Sequence, residues 1–163
     1  MGKICGEYLQ KSRAVDDHAV HLLFSANRWE CRVQLEEHLN AGRTVIMDRY
    51  CYSGVAYSMH KAGMSLDWCK RCDAGLPAPD IVFHLHVPLE RAMARGGFGG
   101  EIYEKEEIQR HVIGTYETFA ETEPNWVKVD ADREPETIAE ELLERAVDVV
   151  AKAADAPLGT IAW

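Results

Sequence analysis

The chain has 163 residues, of which 47% are apolar, and it carries a net charge of −9 with a pI near 5.2. Its length fits one domain, residues 1–163, with enough apolar residues for a real core. The acidic balance argues against a general nucleic-acid or membrane-surface binder. No apolar run reaches the roughly 18 residues of a membrane span, and the first residues lack an apolar signal core. We therefore expect a cytoplasmic protein, with the nucleus and mitochondrion left open.

The first half of the chain alternates helical and strand-like patterns. Asp16 is a good N-cap for a long helix that ends at Gly42, and a break near Cys31 is left open. An apolar strand follows over residues 43–49. Two shorter helices are then predicted, from Ser53 to His60 and from Ser65 to Cys72.

The second half continues this alternation. A strand over 80–88 leads into a helix over 89–95, and a glycine-rich segment follows at 96–100. A long helix, a strand and a last amphipathic helix are predicted at 103–121, 126–132 and 134–154. Apolar strands alternating with helices predict an α/β protein with a parallel sheet covered on both faces.

Five scattered cysteines include one Cys-x-x-Cys pair, Cys69 and Cys72. A zinc ribbon needs a second pair, and a thioredoxin-like site would follow a strand rather than a short helix. We expect ordinary reduced thiols.

Asp48 and Arg49 stand at the end of a predicted strand, where α/β proteins bind ligands. An ion pair or a cap is the alternative. Phe24 and Arg28, spaced i and i+4, share a helix face and would suit a planar heterocycle. From the spacing alone, a core phenylalanine beside a surface arginine is the preferred interpretation. Tyr57 could supply the opposite wall of such a pocket.

Two arginines, Arg91 and Arg95, precede the glycine-rich segment. This arrangement is typical of a lid that grips phosphates. A solvated helix face that ends at Gly96 is the alternative.

Five stretches of the chain resemble eukaryotic thymidylate kinases. They are "HLLFSANRWE", "DRYCYSGVAY", "SLDWCKRCDAGLPAPD", "RGGFGGEIYE" with Gln109 beyond it, and "PLG" near the end. They follow the family's order and cover nearly the whole chain. The resemblance implies a three-layer, parallel-sheet P-loop kinase fold of the nucleoside monophosphate kinase type. It also implies a homodimer that transfers the γ-phosphate of ATP to dTMP with Mg²⁺, giving dTDP.

The resemblance also assigns roles at the nucleoside end of the site. Phe24 would stack on thymine, and Arg28 would bind its carbonyl oxygen. Tyr103 and Gln109 would approach the sugar and the base, with Tyr103 crowding the 2′ position and favouring deoxyribose. The pocket would be lined by Ser53, Gly54 and Tyr57.

At the phosphate end, the resemblance places Arg49 between the dTMP phosphate and the transferring phosphoryl group. Asp48 would help to hold the magnesium shell. Arg95 would act from the lid, over about residues 91–104, on the ATP side. Positioning and charge neutralisation dominate phosphoryl transfer, so a carboxylate and arginines are the parts required.

The sequence departs from the family in two places. It contains no Gly-x-x-x-x-Gly-Lys-Ser/Thr motif, and Ile102 stands where relatives often carry a lid arginine. We therefore expect the fold to miss its first strand, P-loop and first helix, so that the strands at 43–49 and 80–88 lose the strand between them. Three outcomes are open: the two strands pair directly and close the gap, another chain fills the gap, or the sequence is a fragment or has a mis-annotated start. An inactive nucleotide-binding or dimerising module is the alternative to a kinase.

Overall fold

The computed structural model describes residues 1–94 and 103–163. Within these ranges the chain forms seven helices and two strands. The helices are α1 (Gly2–Leu9), α2 (Asp17–Asn40), α3 (Cys51–Ala56), α4 (Leu66–Arg71), α5 (Leu89–Ala94), α6 (Glu106–Thr122) and α7 (Pro135–Ala153). The strands are β1 (Val82–His86) and β2 (Trp126–Asp130). No helix in these ranges is long and apolar enough to cross a membrane.

The two strands pair in parallel, in a register that runs from Val82 opposite Trp126 to His86 opposite Asp130. Parallel strands need a long crossover, and the chain between them contains α5 and α6. Helix α6 packs against both β2 and α3, and α3 in turn contacts α2 and α4. The predicted α/β class with parallel pairing is confirmed.

The strand predicted over residues 43–49 was wrong. Residues 43–47 form no strand, and Ile46 and Met47 are 94% and 47% exposed. An extended apolar segment becomes a strand only when it exchanges backbone hydrogen bonds with a neighbouring strand, and neither β1 nor β2 pairs with this segment within the described ranges. Direct pairing between the two predicted strands does not occur there, since β1 pairs only with β2.

The long second helix follows the local chemistry of its ends. One carboxylate oxygen of Asp16 accepts hydrogen bonds from the backbone N–H groups of His18 and Ala19, at 2.9 and 3.2 Å, so the predicted N-cap is confirmed. The helix runs without a break past Cys31. Just beyond its end, Gly42 has a φ of 72°, a conformation that glycine adopts without strain.

The two short helices differ in how well their starts were predicted. Ser65 caps α4 through a 3.3 Å bond from the N–H of Trp68, as expected. Helix α3 begins at Cys51 instead of Ser53, because the extended backbone of Tyr50 already ends the preceding loop, and it stops at Ala56, well before His60. Helix α1 was not predicted.

The core lies where α3, α4, α6 and the chain terminus meet. Its fully buried members are Cys51, Tyr52, Val55, Cys69, Leu76, Phe119 and Ile161. The C-terminal residues 159–161 form backbone hydrogen bonds with residues 75–78, and Trp163 stacks on Phe119 at 6.2 Å between ring centroids. The chain terminus thus closes the core over α6.

Buried His21 of α2 bonds both α4 and the turn that follows α3. Its Nε2 donates to the carbonyl oxygen of Cys69 at 3.0 Å, because a carbonyl can only accept. In the neutral ring, Nδ1 then accepts from the Ser58 hydroxyl at 2.7 Å. Burial lowers the pKa of His21, and it also lowers the pKa values of His60 and His84.

All five cysteines are free, as predicted. Burial raises the pKa of the Cys69 thiol to about 11, which makes it a poor nucleophile.

The last helix, α7, has no buried residue. Its apolar side chains Leu143 and Val147 are 65% and 58% exposed.

Candidate functional site

Arg28 projects from α2 into a buried ion pair with Asp73. Its Nη2 and Nε lie 2.6 and 3.0 Å from the two carboxylate oxygens, an arrangement in which both groups are fixed. The Asp73 side chain is completely buried and that of Arg28 is 11% exposed. Ser25, one turn before Arg28, donates to the same carboxylate at 2.8 Å. Arg28 is therefore an oriented, largely buried cation rather than a surface arginine.

Gly54 allows the backbone of α3 to approach this guanidinium. A β-carbon at position 54 would lie 2.8 Å from Arg28 Nη2 and 3.0 Å from Nη1. Real side chains do not come so close, so any larger residue would displace Arg28 from Asp73. The structure therefore brings the predicted residues Arg28 and Gly54 into direct contact.

A chain of aromatic rings connects four separate segments. Tyr8 of α1 packs edge-on against Phe24 at 6.4 Å between ring centroids. Its ring is tilted against that of Tyr103, with the centroids 6.1 Å apart. Tyr103 in turn lies 5.0 Å from the ring of Tyr57. Three of these residues, Phe24, Tyr57 and Tyr103, were predicted to face the nucleoside. The ring contacts join them through Tyr8 into one connected group, the aromatic wall. Phe24 and Tyr57 stand at the two ends of this group, and the place of Tyr57 opposite Phe24 across a bound base stays a prediction.

Polar groups complete this wall. Gln109 of α6 donates from Nε2 to the Tyr103 carbonyl at 3.0 Å, and the same nitrogen lies 3.4 Å from the Tyr57 hydroxyl. Ser53 shares a hydrogen bond of 3.2 Å with the hydroxyl of Tyr116 on the same helix as Gln109. The predicted residues Gln109, Tyr57 and Tyr103 thus form one connected group, whereas the Ser53 hydroxyl is engaged with Tyr116.

The Asp48–Arg49 pair lies in the turn before α3, and both residues are exposed. The Arg49 guanidinium lies over the ring of Tyr57, 5.3 Å from its centroid, which joins this turn to the aromatic wall. Its backbone φ of 66° falls in the left-handed region, which is unusual for a residue with a side chain. Among residues 1–94 and 103–163, Arg49 forms an ion pair with no carboxylate.

The predicted lid is only partly described. Arg95 and Ile102 lie outside the described ranges. Arg91 belongs to α5, where Nε and Nη2 bind a carboxylate oxygen of Asp132 at 3.1 and 2.9 Å, and its side chain is 66% exposed. These contacts are those of a residue on a solvated helix face, which was the alternative to a lid arginine.

Sequence reasoning missed three residues that hold the site together: Tyr8, Lys61 and Asp73. Lys61 is a buried cation whose Nζ lies 3.1 Å from the Tyr8 hydroxyl and 3.0 Å from a carboxylate oxygen of Asp17. The side-chain hydrogen-bond and ion-pair partners of these three residues lie 44 or more residues away along the chain. A lysine with no nearby carboxylate in sequence gave no local signal of such burial.

The chain is similar to thymidylate kinases over nearly its whole length. A family model described as Thymidylate kinase matches residues 1–142. The human thymidylate kinase is 43% identical over 162 residues, covering 99% of this chain and 76% of the human protein. The Arabidopsis thaliana thymidylate kinase is 40% identical over 163 residues, and this chain spans 61% of its length.

A solved structure agrees with these relatives. A thymidylate kinase from Candida albicans, described as having broad substrate specificity, superposes with a TM-score of 0.88 at 32% sequence identity. The match covers 98% of this chain and 80% of the other. A structural match of this extent, together with the sequence identity, shows that the chain has the P-loop kinase fold. The chain belongs to the thymidylate kinase family, whose members are kinases.

Proposed function

We propose that this chain binds dTMP and belongs to an enzyme that transfers the γ-phosphate of ATP to it, giving dTDP. One observation carries the proposal beyond family membership. One connected wall, joined through Tyr8, holds four residues that the resemblance assigns to the nucleotide, and Arg49 lies against it. They are Phe24 of α2, Tyr57 just after α3, Tyr103 before α6 and Gln109 of α6. A purely structural core would not need an exposed arginine at its edge.

At the base end, the wall offers a ring and a fixed donor. Phe24 provides a flat apolar face for thymine. Arg28 is held by Asp73 through Nε and Nη2, which leaves the Nη1 side of the guanidinium for a carbonyl oxygen. Thymine presents such an acceptor where cytosine presents an amino group, so a fixed guanidinium would favour dTMP over dCMP.

At the phosphate end, Asp48 and Arg49 are the groups present. An exposed guanidinium that is free of a carboxylate within the described ranges can bind phosphate oxygens without first breaking an ion pair. Magnesium is bound by one or two carboxylates together with substrate phosphates, so the single exposed carboxylate of Asp48 fits the ion. When bound, Mg²⁺ neutralises charge on the phosphates; Asp48 would hold its shell and Arg49 would bridge the donor and acceptor oxygens. We propose Arg95 for the ATP side.

The test is calorimetry of the chain with dTMP and with dCMP, for the wild type and for Arg28→Ala. We expect dTMP to bind more tightly, and the substitution to remove about 1–3 kcal/mol of dTMP binding by deleting one charged hydrogen bond. Arg28→Ala also leaves the buried Asp73 carboxylate without its partner. The double variant Arg28→Ala/Asp73→Asn therefore serves as the control. It removes the buried charge and should show the same loss of selectivity.

Equal affinities for dTMP and dCMP in the wild type would contradict the proposed base recognition. Turnover is measured separately, by a coupled assay of ADP release with dTMP, ATP and Mg²⁺. Light scattering of the purified chain tests the homodimer that family resemblance implies, and fractionation of the source cells tests the cytoplasmic location.

A further inference from the structure

Tyr103 is held from the side opposite Tyr57. Its hydroxyl donates to the hydroxyl of Tyr8 at 3.4 Å, and Lys61 Nζ donates to the same Tyr8 oxygen at 3.1 Å. Asp17 holds Lys61 in turn through a 3.0 Å ion pair. The result is a relay in which α2 fixes Lys61, Lys61 fixes Tyr8, and Tyr8 fixes Tyr103.

The ammonium of Lys61 also faces the rings themselves. Nζ lies 5.4 Å from the ring centroid of Tyr8 and 5.8 Å from that of Tyr103, within the range of cation–π attraction. Its side chain is only 5% exposed, whereas lysines are almost never buried unless they are paired. Burial raises the pKa of the Tyr103 phenol, with the Tyr8 hydroxyl contributing, so the phenol keeps its proton and remains a donor.

Behind Tyr103 there is room into which its ring could move. A cavity of about 330 Å³ is lined by Tyr8, Asp17, His60, Lys61, Tyr103, Lys105 and Ile108. Phe24, Tyr57 and Gln109 do not line the cavity, whereas Tyr103 and its neighbour Tyr8 do. Among the residues predicted to face the nucleoside, Tyr103 is therefore the one that borders this cavity. Because the Tyr103 ring lies beside this cavity, it can exclude a larger ligand only if other groups prevent it from moving into the cavity.

Resting on the proposed function, we propose that Tyr8 and Lys61 are positioning residues that hold the Tyr103 ring against the 2′ carbon of the bound sugar, and thereby set the preference for deoxyribose over ribose. A Tyr103 ring that is fixed in place clashes with a 2′ hydroxyl. If the ring can move into the cavity behind it, the clash is relieved and the ribonucleotide fits. The preference thus depends on residues that do not themselves touch the nucleotide.

The test is Tyr8→Phe, assayed by calorimetry with dTMP and with ribothymidine 5′-monophosphate. The wild type should prefer dTMP. In the variant the ratio of the two affinities should fall about threefold to tenfold, the range of one neutral hydrogen bond, mainly because the ribonucleotide binds more tightly. Lys61→Met removes the cation that bonds Tyr8 and faces both rings, and it should also lower the ratio. Tyr52→Phe is the matched control, since it removes a core hydroxyl bound to Glu123 at 3.5 Å and should leave the ratio unchanged.

A second readout needs no ligand. With fluorotyrosine incorporated, each of the six tyrosines gives a ¹⁹F resonance. The Tyr103 signal should shift and broaden in Tyr8→Phe but not in Tyr52→Phe. A wild type that prefers dTMP over dCMP, together with an unchanged ribose ratio and an unchanged Tyr103 signal in Tyr8→Phe, overturns this inference alone. A wild type that does not distinguish dTMP from dCMP overturns the proposed function instead.

Discussion

Replacing Asp73 with alanine would leave the Arg28 guanidinium largely buried without its carboxylate. Removing one partner of a buried pair costs about 3–5 kcal/mol, because the remaining charge keeps its desolvation penalty and loses its compensation. Arg28 retains 11% exposure, so some water can reach it and the lower half of this range applies. Ser25 moderates the loss further, since its hydroxyl also contacts the carbonyl oxygen of Cys72 at 2.8 Å. We expect about 3–4 kcal/mol.

The assay is thermal and urea unfolding of the purified variant. For a chain of this length, each kcal/mol lowers the midpoint by about 2–4 °C, which gives a drop of roughly 6–16 °C. Asp67→Ala is the matched control, because Asp67 pairs with Arg71 while both side chains are more than 70% exposed. It should change the unfolding free energy by less than about 1 kcal/mol.

A second variant separates the ion pair from the volume it occupies. Arg28→Met/Asp73→Leu removes both charges and should recover much of the stability lost in Asp73→Ala, since a buried pair is often replaceable by apolar residues of similar size. If Asp73→Ala proved no more destabilising than Asp67→Ala, the reasoning about this buried pair would be refuted.

The remaining predictions concern two glycines and one histidine. Gly54→Ala should destabilise by about 1–3 kcal/mol and weaken dTMP binding, because its β-carbon would press on Arg28; unchanged unfolding would contradict this. Gly114→Ala should instead stabilise by about 0.5–1 kcal/mol, since a β-carbon there meets nothing within 4 Å in mid-helix. The lowered pKa of His21 means that the unfolded chain binds its proton first, so the unfolding free energy should fall as pH drops below about 6.5 and level off below the folded pKa. His21→Gln should reduce that slope between pH 7.5 and 5.5 without abolishing it, because the pKa values of two other histidines are also lowered by burial.

Local chemistry explains which elements the sequence could predict. The caps at Asp16 and Ser65 depend on neighbours two or three residues away, and both appear as expected. A strand at 43–49 would depend on pairing with a second strand, and the local apolar pattern could not reveal that neither strand of the described ranges pairs with this segment. The helix predicted from Ser53 was misplaced because Tyr50, two residues before the apparent start, already ends the loop.

The candidate site divides in the same way. Resemblance could nominate Phe24, Tyr57, Tyr103 and Gln109, and the structure brings these four into one connected wall. Their roles toward a nucleotide remain predictions. No signal in the sequence indicated that Lys61 is buried, because the hydroxyl that its ammonium bonds lies 53 residues away along the chain. Such pairings are fixed by packing between helices, and no periodicity in the sequence records them.

At position 49 the backbone and the proposed chemistry favour different amino acids. A φ of 66° suits glycine or asparagine, whereas only arginine brings a forked cation to the edge of the wall. Glycine there would relax the turn while removing the charge, so selection for stability alone would drive this position away from arginine. We therefore expect the substitutions tolerated at residue 49 to depend on the property that is screened: a screen for stability should favour glycine, whereas a screen for the proposed phosphate binding should retain arginine.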